Sequence, residues 1–151
     1  MQWLVVIHVL AAILGLGPAY AFPFLLRKAS SIQEMERNLS QVAHLEMFPK
    51  IFGTLAVLSG LALFFIGSYG SFGQIWIMGT LIVYAIIEVL IIGFLNPEAK
   101  KLQSALSSQE TKEKQEHAAS LEPMYARVRN LHAWAGVLGL LIFILMIVKP
   151  H

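Results

Sequence analysis

A histidine inside a long apolar run is the first chemically competent residue of the chain. His8 lies in the uncharged stretch Trp3 to Leu26, and as part of a helix it would stand roughly 7 to 8 Å below Trp3. An ionisable group at that depth in a bilayer marks a functional site by default. Ala11, Ala12 and Gly15 follow at i+3, i+4 and i+7, which puts small residues beside the imidazole and predicts a shallow groove. Neutral imidazole ligates haem iron, and a flat macrocycle needs such a groove. The other reading of the same residues is that His8 hydrogen-bonds a neighbouring helix while the small residues permit close packing.

Glu88 is the second such residue, the lone charge in Ile75 to Leu95, about 10 Å from the inner end of that run. A carboxylate in hydrocarbon needs a raised pKa or a basic partner. Tyr20, Lys50 and Arg129 are the candidates. A proton relay or a quinone-headgroup contact is one reading, and a structural ion pair is the other. His44, Glu46, Met47 and His132 gather near the ends of apolar runs. Histidine and methionine suit copper, but a metal site needs three or four convergent ligands, and polar residues at an interface are ordinary. His117 falls in a charged linker, and His151 is terminal.

What must position these groups is a membrane fold. The chain has 151 residues, of which 57% are hydrophobic and 13% charged, whereas a soluble domain carries about a quarter charged residues. It has no cysteine, which excludes disulfides, thiolate metal sites and thiol catalysis. Crossing a bilayer takes about 20 apolar residues in a helix. The runs 3–26, 49–69, 75–95 and 131–148 qualify or nearly so, which predicts an all-α, four-helix transmembrane bundle forming a single domain, 1–151. Ala19-Tyr20-Ala21 resembles a leader cleavage site, but no basic residue precedes Trp3 and the apolar run continues to Leu26, so the segment is expected to be retained as a span.

Nine of the eleven lysines and arginines lie in segments 27–48 and 96–130, a tenth, Lys50, stands just past the first of these at the start of the second run, and the eleventh is Lys149. The positive-inside rule then places both segments in the cytoplasm and both termini outside. Trp3 and Trp76 would anchor the outer interface and Trp134 the inner one. Ser31 and Glu34 form a possible capping box. Ile32, Met35, Leu39 and Val42 follow at helical spacing, which predicts an amphipathic helix on the inner membrane surface. Asn96-Pro97 is expected to end the third span, and Pro123 to open the last helix. The pairs Gly17/Ala21, Ala56/Gly60 and Ala135/Gly139 read as helix-packing positions. No phosphate loop, dinucleotide fingerprint or nucleophile elbow occurs. A pI near 9.0 is accounted for by the membrane-flanking cations, so nothing points to nucleic acid.

Trp3-Leu4-Val5-Val6-Ile7-His8, Pro23 fifteen residues after the histidine, Arg127-Val128-Arg129-Asn130 and the closing Val148-Lys149-Pro150 resemble a group of small bacterial membrane proteins. The chain is similar along nearly its whole length to a four-span family of predicted integral membrane proteins of unknown function. More distantly it resembles the J-type protoporphyrinogen oxidase of haem synthesis and the CopD-type copper-resistance membrane domain. The oxidase resemblance implies haem b on His8 and carries that family's basic residues near span ends onto Arg127 and Lys149. The oxidase's third-span histidine and lysine are missing, since this chain reads Trp76-Ile77-Met78-Gly79-Thr80 there. The resemblance therefore carries haem binding and not the oxidase activity.

The expectation is a protein of the bacterial cytoplasmic membrane that binds haem b. His8 is the metal ligand, Gly15 floors the groove, Lys149 is the charged group near a propionate, and Glu88 acts as relay or ion pair. Its partners would be lipid and either a quinone or a larger membrane complex. The rival expectation is a non-enzymatic protein: a copper or small-solute transporter, or an accessory subunit.

Overall fold

The computed structural model describes residues 2–67, 73–107 and 118–150, and among these there are helices and no strands. Helix α1 is Gln2–Leu16, followed by a 3₁₀ turn Pro18–Ala21 and the short α2, Phe22–Leu25. Next come α3 (Ile32–Leu45), α4 (Met47–Ile66) and α5 (Ile75–Val89), then a π-helical turn Leu90–Leu95, α6 (Asn96–Ser107) and α7 (Ala118–Val148). Four helical runs are long and apolar enough to cross a membrane: Gln2–Leu25, Ile32–Ile66, Ile75–Ser107 and Ser120–Val148. His117 and His151 lie outside the described residues.

The first span bends where its prolines fall. Pro18 and Pro23 lack an N–H and cannot bond the carbonyls four residues back, so α1 closes at Gly17, whose N–H reaches Ile13 O at 2.8 Å, and a tighter turn follows. Proline acts differently in the third run. Asn96-Pro97 was expected to end the helix, yet the helix continues to Ser107. The π turn immediately before it adds a residue to the hydrogen-bond ring, with the Asn96 N–H on Ile91 O, which shifts the backbone register ahead of the proline ring. Similarly, α7 begins at Ala118, ahead of Pro123, and carries Arg127 and Arg129 on one unbroken helix.

Three runs therefore exceed the bilayer. The 35 residues of Ile32–Ile66 measure about 52 Å against a hydrocarbon core of about 30 Å, and Ile75–Ser107 is nearly as long. The excess projects at the end carrying the charged segments, and the best-buried core lies there. Helix α3 has the expected N-cap, with Ser31 Oγ accepting from Glu34 N at 3.1 Å. The Glu34 carboxylate turns back to accept from Ser30 N at 3.0 Å and Ser30 Oγ at 2.9 Å, and these bonds hold its pKa below the ordinary carboxylate value.

The amphipathic helix predicted after the first span is α3, but its apolar stripe faces protein instead of lipid. Ile32, Met35, Leu39 and Val42 pack with Phe22, Leu26, Leu102, Leu106, Tyr125 and Val128 in one buried cluster. Helix α3 runs on into α4 across Glu46, so it rises from the bilayer, and α6 and the start of α7 give it a partner. Full burial of residues such as Leu26, Met35 and Leu102, all 0% exposed, contributes about 1.5 to 3 kcal/mol each.

Within the membrane the packing is pairwise. Helix α1 runs along α4 and α5 along α7, and the two pairs meet mainly through the 3₁₀ turn, α2 and the loop-side helices. Large apolar side chains such as Phe65, Ile66, Ile82 and Ile144 face outward, as lipid-facing residues do. Trp3 and Trp134 are exposed, whereas Trp76 is buried, so the third tryptophan packs instead of anchoring in lipid.

Candidate functional site

His8 sits on the face of α1 that meets α4, one turn before the buried Ala11. Its Nδ1 lies 2.8 Å from Ala56 O and 3.1 Å from Ser59 Oγ. A carbonyl only accepts, so Nδ1 carries the proton and Nε2 keeps its lone pair. The Ser59 hydroxyl is itself within reach of Leu55 O at 2.7 Å and Ala56 O at 3.1 Å. The imidazole stands over Gly60, where an added Cβ would come within 2.9 Å of His8 Cε1. The Ala56/Gly60 pair is thus the seat of the histidine, and this deepens the packing role expected of it.

The groove expected beside His8 is filled. A Cβ on Gly15 would stand 2.9 Å from Gly53 N and 3.1 Å from Phe52 C, both backbone atoms of α4. Gly15 is there to admit a neighbouring helix, and the Ala11–Gly15 face has no room for a macrocycle. A haem would fit the imidazole, whose tautomer is that of an Nε2 ligand, and would not fit the small-residue face. Lys149, expected near a propionate, holds its ammonium 5.1 Å from the centre of the Trp76 ring.

Glu88 finds a partner one turn away on its own helix, the hydroxyl of Tyr84. None of the three expected partners takes that role. Lys50 approaches Glu46 at 4.0 Å. Arg129 donates to Leu26 O at 3.2 Å. The Tyr20 hydroxyl is buried without a hydrogen-bond partner among the described residues, and its ring lies against Gly136 and Gly139 of α7.

At the loop-side rim, His132 Nε2 comes to 3.9 Å from Glu46 Oε1, and its ring meets Phe22 edge-on at 5.2 Å between centroids. Burial pushes the Glu46 carboxyl above its ordinary pKa, with Lys50 acting against it. His44 is engaged elsewhere, its Nδ1 donating to Ser40 O at 2.8 Å on an exposed face, and Met47 is exposed. Among the described residues, no three His, Cys, Asp or Glu side chains converge on a metal position.

Ala56, Ser59, Gly60 and Tyr84 were not singled out as site residues from sequence, although Tyr84 stands at i−4 from Glu88, where helical side chains meet. A further polar knot lies in the loop-side core. Asn38 Nδ2 donates to Tyr125 Oη at 3.0 Å, and Tyr125 donates to Arg27 O at 2.8 Å. With Arg129 on Leu26 O, two side chains of α7 cap the free carbonyls where α2 ends, as helix termini require. Arg127, carried onto a basic role by resemblance, pairs with Glu98 at 3.1 Å.

No curated protein and no solved structure matches the chain. The composition, the four long apolar helices and the lipid-facing side chains describe an integral membrane protein, and the comparison with known families agrees. Over residues 2–150 the chain matches, and belongs to, the family described as "predicted integral membrane protein" (DUF2269).

Proposed function

We propose that the protein binds haem b within the membrane through His8, in a redox or haem-handling role. The observation that supports this is the orientation of the ring. The Ala56 carbonyl takes the Nδ1 proton, and a carbonyl in that position both fixes the tautomer and makes Nε2 a better ligand. The resemblance of the first span to the J-type oxidase assigns the same role to the same histidine. A bound haem would supply one-electron chemistry toward a partner such as a quinone. The chain's own contribution is to hold the imidazole on α4 with its Nδ1 proton on Ala56 O, which leaves the Nε2 lone pair uncommitted to that bond.

His8→Ala is expected to abolish the Soret band of detergent-purified, haem-supplemented protein while leaving its helical circular dichroism intact. Gly60→Ala keeps the ligand but crowds the ring, so haem occupancy should fall partway. A wild-type protein that shows no Soret band and no reduced-minus-oxidised signal after haem is supplied would overturn the reading.

One observation favours a second reading, that of a non-enzymatic accessory subunit. The two hydrogen bonds of His8 tie α1 to α4 and by themselves account for a histidine in hydrocarbon. Under either reading we place both termini outside the cytoplasm, from the distribution of basic residues. A reporter fused to the C-terminus should be extracytoplasmic, and one inserted after Ser107 cytoplasmic. Reversal of both would invert the topology and move His8 to the inner leaflet.

A further inference from the structure

Helix α3 buries one stripe and presents the opposite one. Arg37, Gln41 and His44 recur at i, i+4 and i+7, which aligns them along one side of the helix, away from the buried Met35, Leu39 and Val42. Arg37, Ser40, Gln41 and His44 are exposed. Between this stripe and α2 lies a cavity of about 560 Å³, lined by Leu25, Arg37, Ser40, Gln41, His44 and Leu45.

The position of the cavity along the membrane normal says what it can hold. Leu25 ends the first span and Leu45 ends α3, one residue short of α4, so the apolar wall sits at the edge of the hydrocarbon. His44 and Gln41 follow outward, and Arg37 stands eight residues from Leu45 along the helix, about 12 Å away. The cavity thus passes from an apolar floor to polar side chains and then to a guanidinium, in the order in which a phospholipid presents glycerol and phosphate above its acyl chains.

The donors to an anion are the Arg37 guanidinium and the Gln41 amide; His44 commits its Nδ1 proton to Ser40 O and lines the cavity with its ring. Arg37 makes no hydrogen bond to another described residue. Of the two carboxylates close to it in sequence, Glu34 takes its hydrogen bonds from Ser30 and attracts Arg37 only through space, and Glu36 lines a separate cavity with Leu39 and Gln103. Guanidinium binds phosphate oxygens with two parallel hydrogen bonds, and cations beside a membrane surface draw anionic lipids.

We propose that the α2–α3 cavity binds the phosphate headgroup of an anionic glycerophospholipid from the leaflet on the charged side of the protein. Arg37 would hold the phosphate, Gln41 and His44 would flank it, and Leu25 and Leu45 would take the start of an acyl chain. The site is independent of haem binding and of which side of the membrane is cytoplasmic.

The test uses the full-length protein purified in detergent, exposed to phosphatidylglycerol or phosphatidylcholine, and examined by native mass spectrometry for retained lipid. Wild type should hold one phosphatidylglycerol per chain in preference to phosphatidylcholine. Arg37→Gln should lower that retention about tenfold, as loss of a charged hydrogen bond does, and Arg37→Lys should restore part of it. Lys100→Gln, an exposed cation on α6, is the control and should retain lipid as wild type does. Because Arg37 is exposed, its variants should melt like wild type in phosphatidylcholine nanodiscs. Equal retention by wild type and Arg37→Gln would overturn the proposal. So would an equal loss in Lys100→Gln, which indicates diffuse charge, or full displacement of the lipid by millimolar glycerol phosphate, which indicates a site for the free anion.

Discussion

Tyr125→Ala is expected to unlock the loop-side end of the protein. The side chain is fully buried, so removing the ring leaves a cavity and costs about 3 to 5 kcal/mol. Its hydroxyl also accepts from Asn38 and donates to Arg27 O, and the truncation orphans both. Tyr125→Phe separates the two contributions. It keeps the packing and strips the hydroxyl, leaving a buried amide and a helix-end carbonyl without their partner, for a loss of about 1 to 3 kcal/mol. Thermal unfolding in detergent should rank wild type above Phe and Phe above Ala. Limited proteolysis should cut the Ala variant first near α3 and α6, with the α1–α4 pair still protected. If Tyr125→Ala melts with wild type, the loop-side cluster does not hold the fold together.

The second large effect is expected at Gly15. A Cβ there would collide with backbone of α4 at Gly53 and Phe52, and backbone cannot swing aside as a side chain can. Gly15→Leu should force α1 off α4 and destabilise the protein by well over the about 1 to 3 kcal/mol typical of overpacking. His8, seven residues earlier on the same face, should lose its bond to Ala56 at the same time. Gly53→Ala is the informative control, because nothing stands within 4 Å of a Cβ at that position. It should be neutral or should stabilise by about 0.5 to 1 kcal/mol, the helical cost of glycine. Similar melting of Gly15→Leu and wild type would refute the close approach of the two helices.

How much of this was legible beforehand differs between the membrane and the loop side. The four spans could be read because hydrocarbon demands long apolar helices whatever the neighbours are. Ser31 and Glu34 marked the start of α3 because capping is local. The fate of the α3 apolar stripe was not legible, since lipid and a protein partner ask for the same residues. Only the continuation of the third run past Pro97 supplies Leu102 and Leu106 as that partner, and that continuation depends on a π turn with no sequence mark of its own.

The same limit applies to His8. Its depth and its small neighbours were visible, but Ala11 and Gly15 describe a groove for a ligand and a bed for a helix equally well. The deciding atoms belong to α4, roughly 50 residues away. Arg129 shows it too. Charge made it a natural partner for Glu88, yet the carbonyl ends of α2 claim it, and an irregular helix end formed by Pro18 and Pro23 is hard to foresee from residue types.

The bonds that close the loop-side core also set an order of biosynthesis. Tyr125 and Arg129 satisfy Arg27 O and Leu26 O across 98 and 103 positions of sequence, so carbonyls at the end of the first span wait for the last described helix. The α1–α4 hairpin can assemble once residue 66 has been made, but the core cannot close before α7 is delivered. Because these carbonyls lie beyond the hydrocarbon, water can solvate them in the interval, which mid-membrane backbone would not permit. A nascent chain arrested before α7 would therefore be inserted yet unlatched, with the apolar stripe of α3 uncovered at the membrane surface.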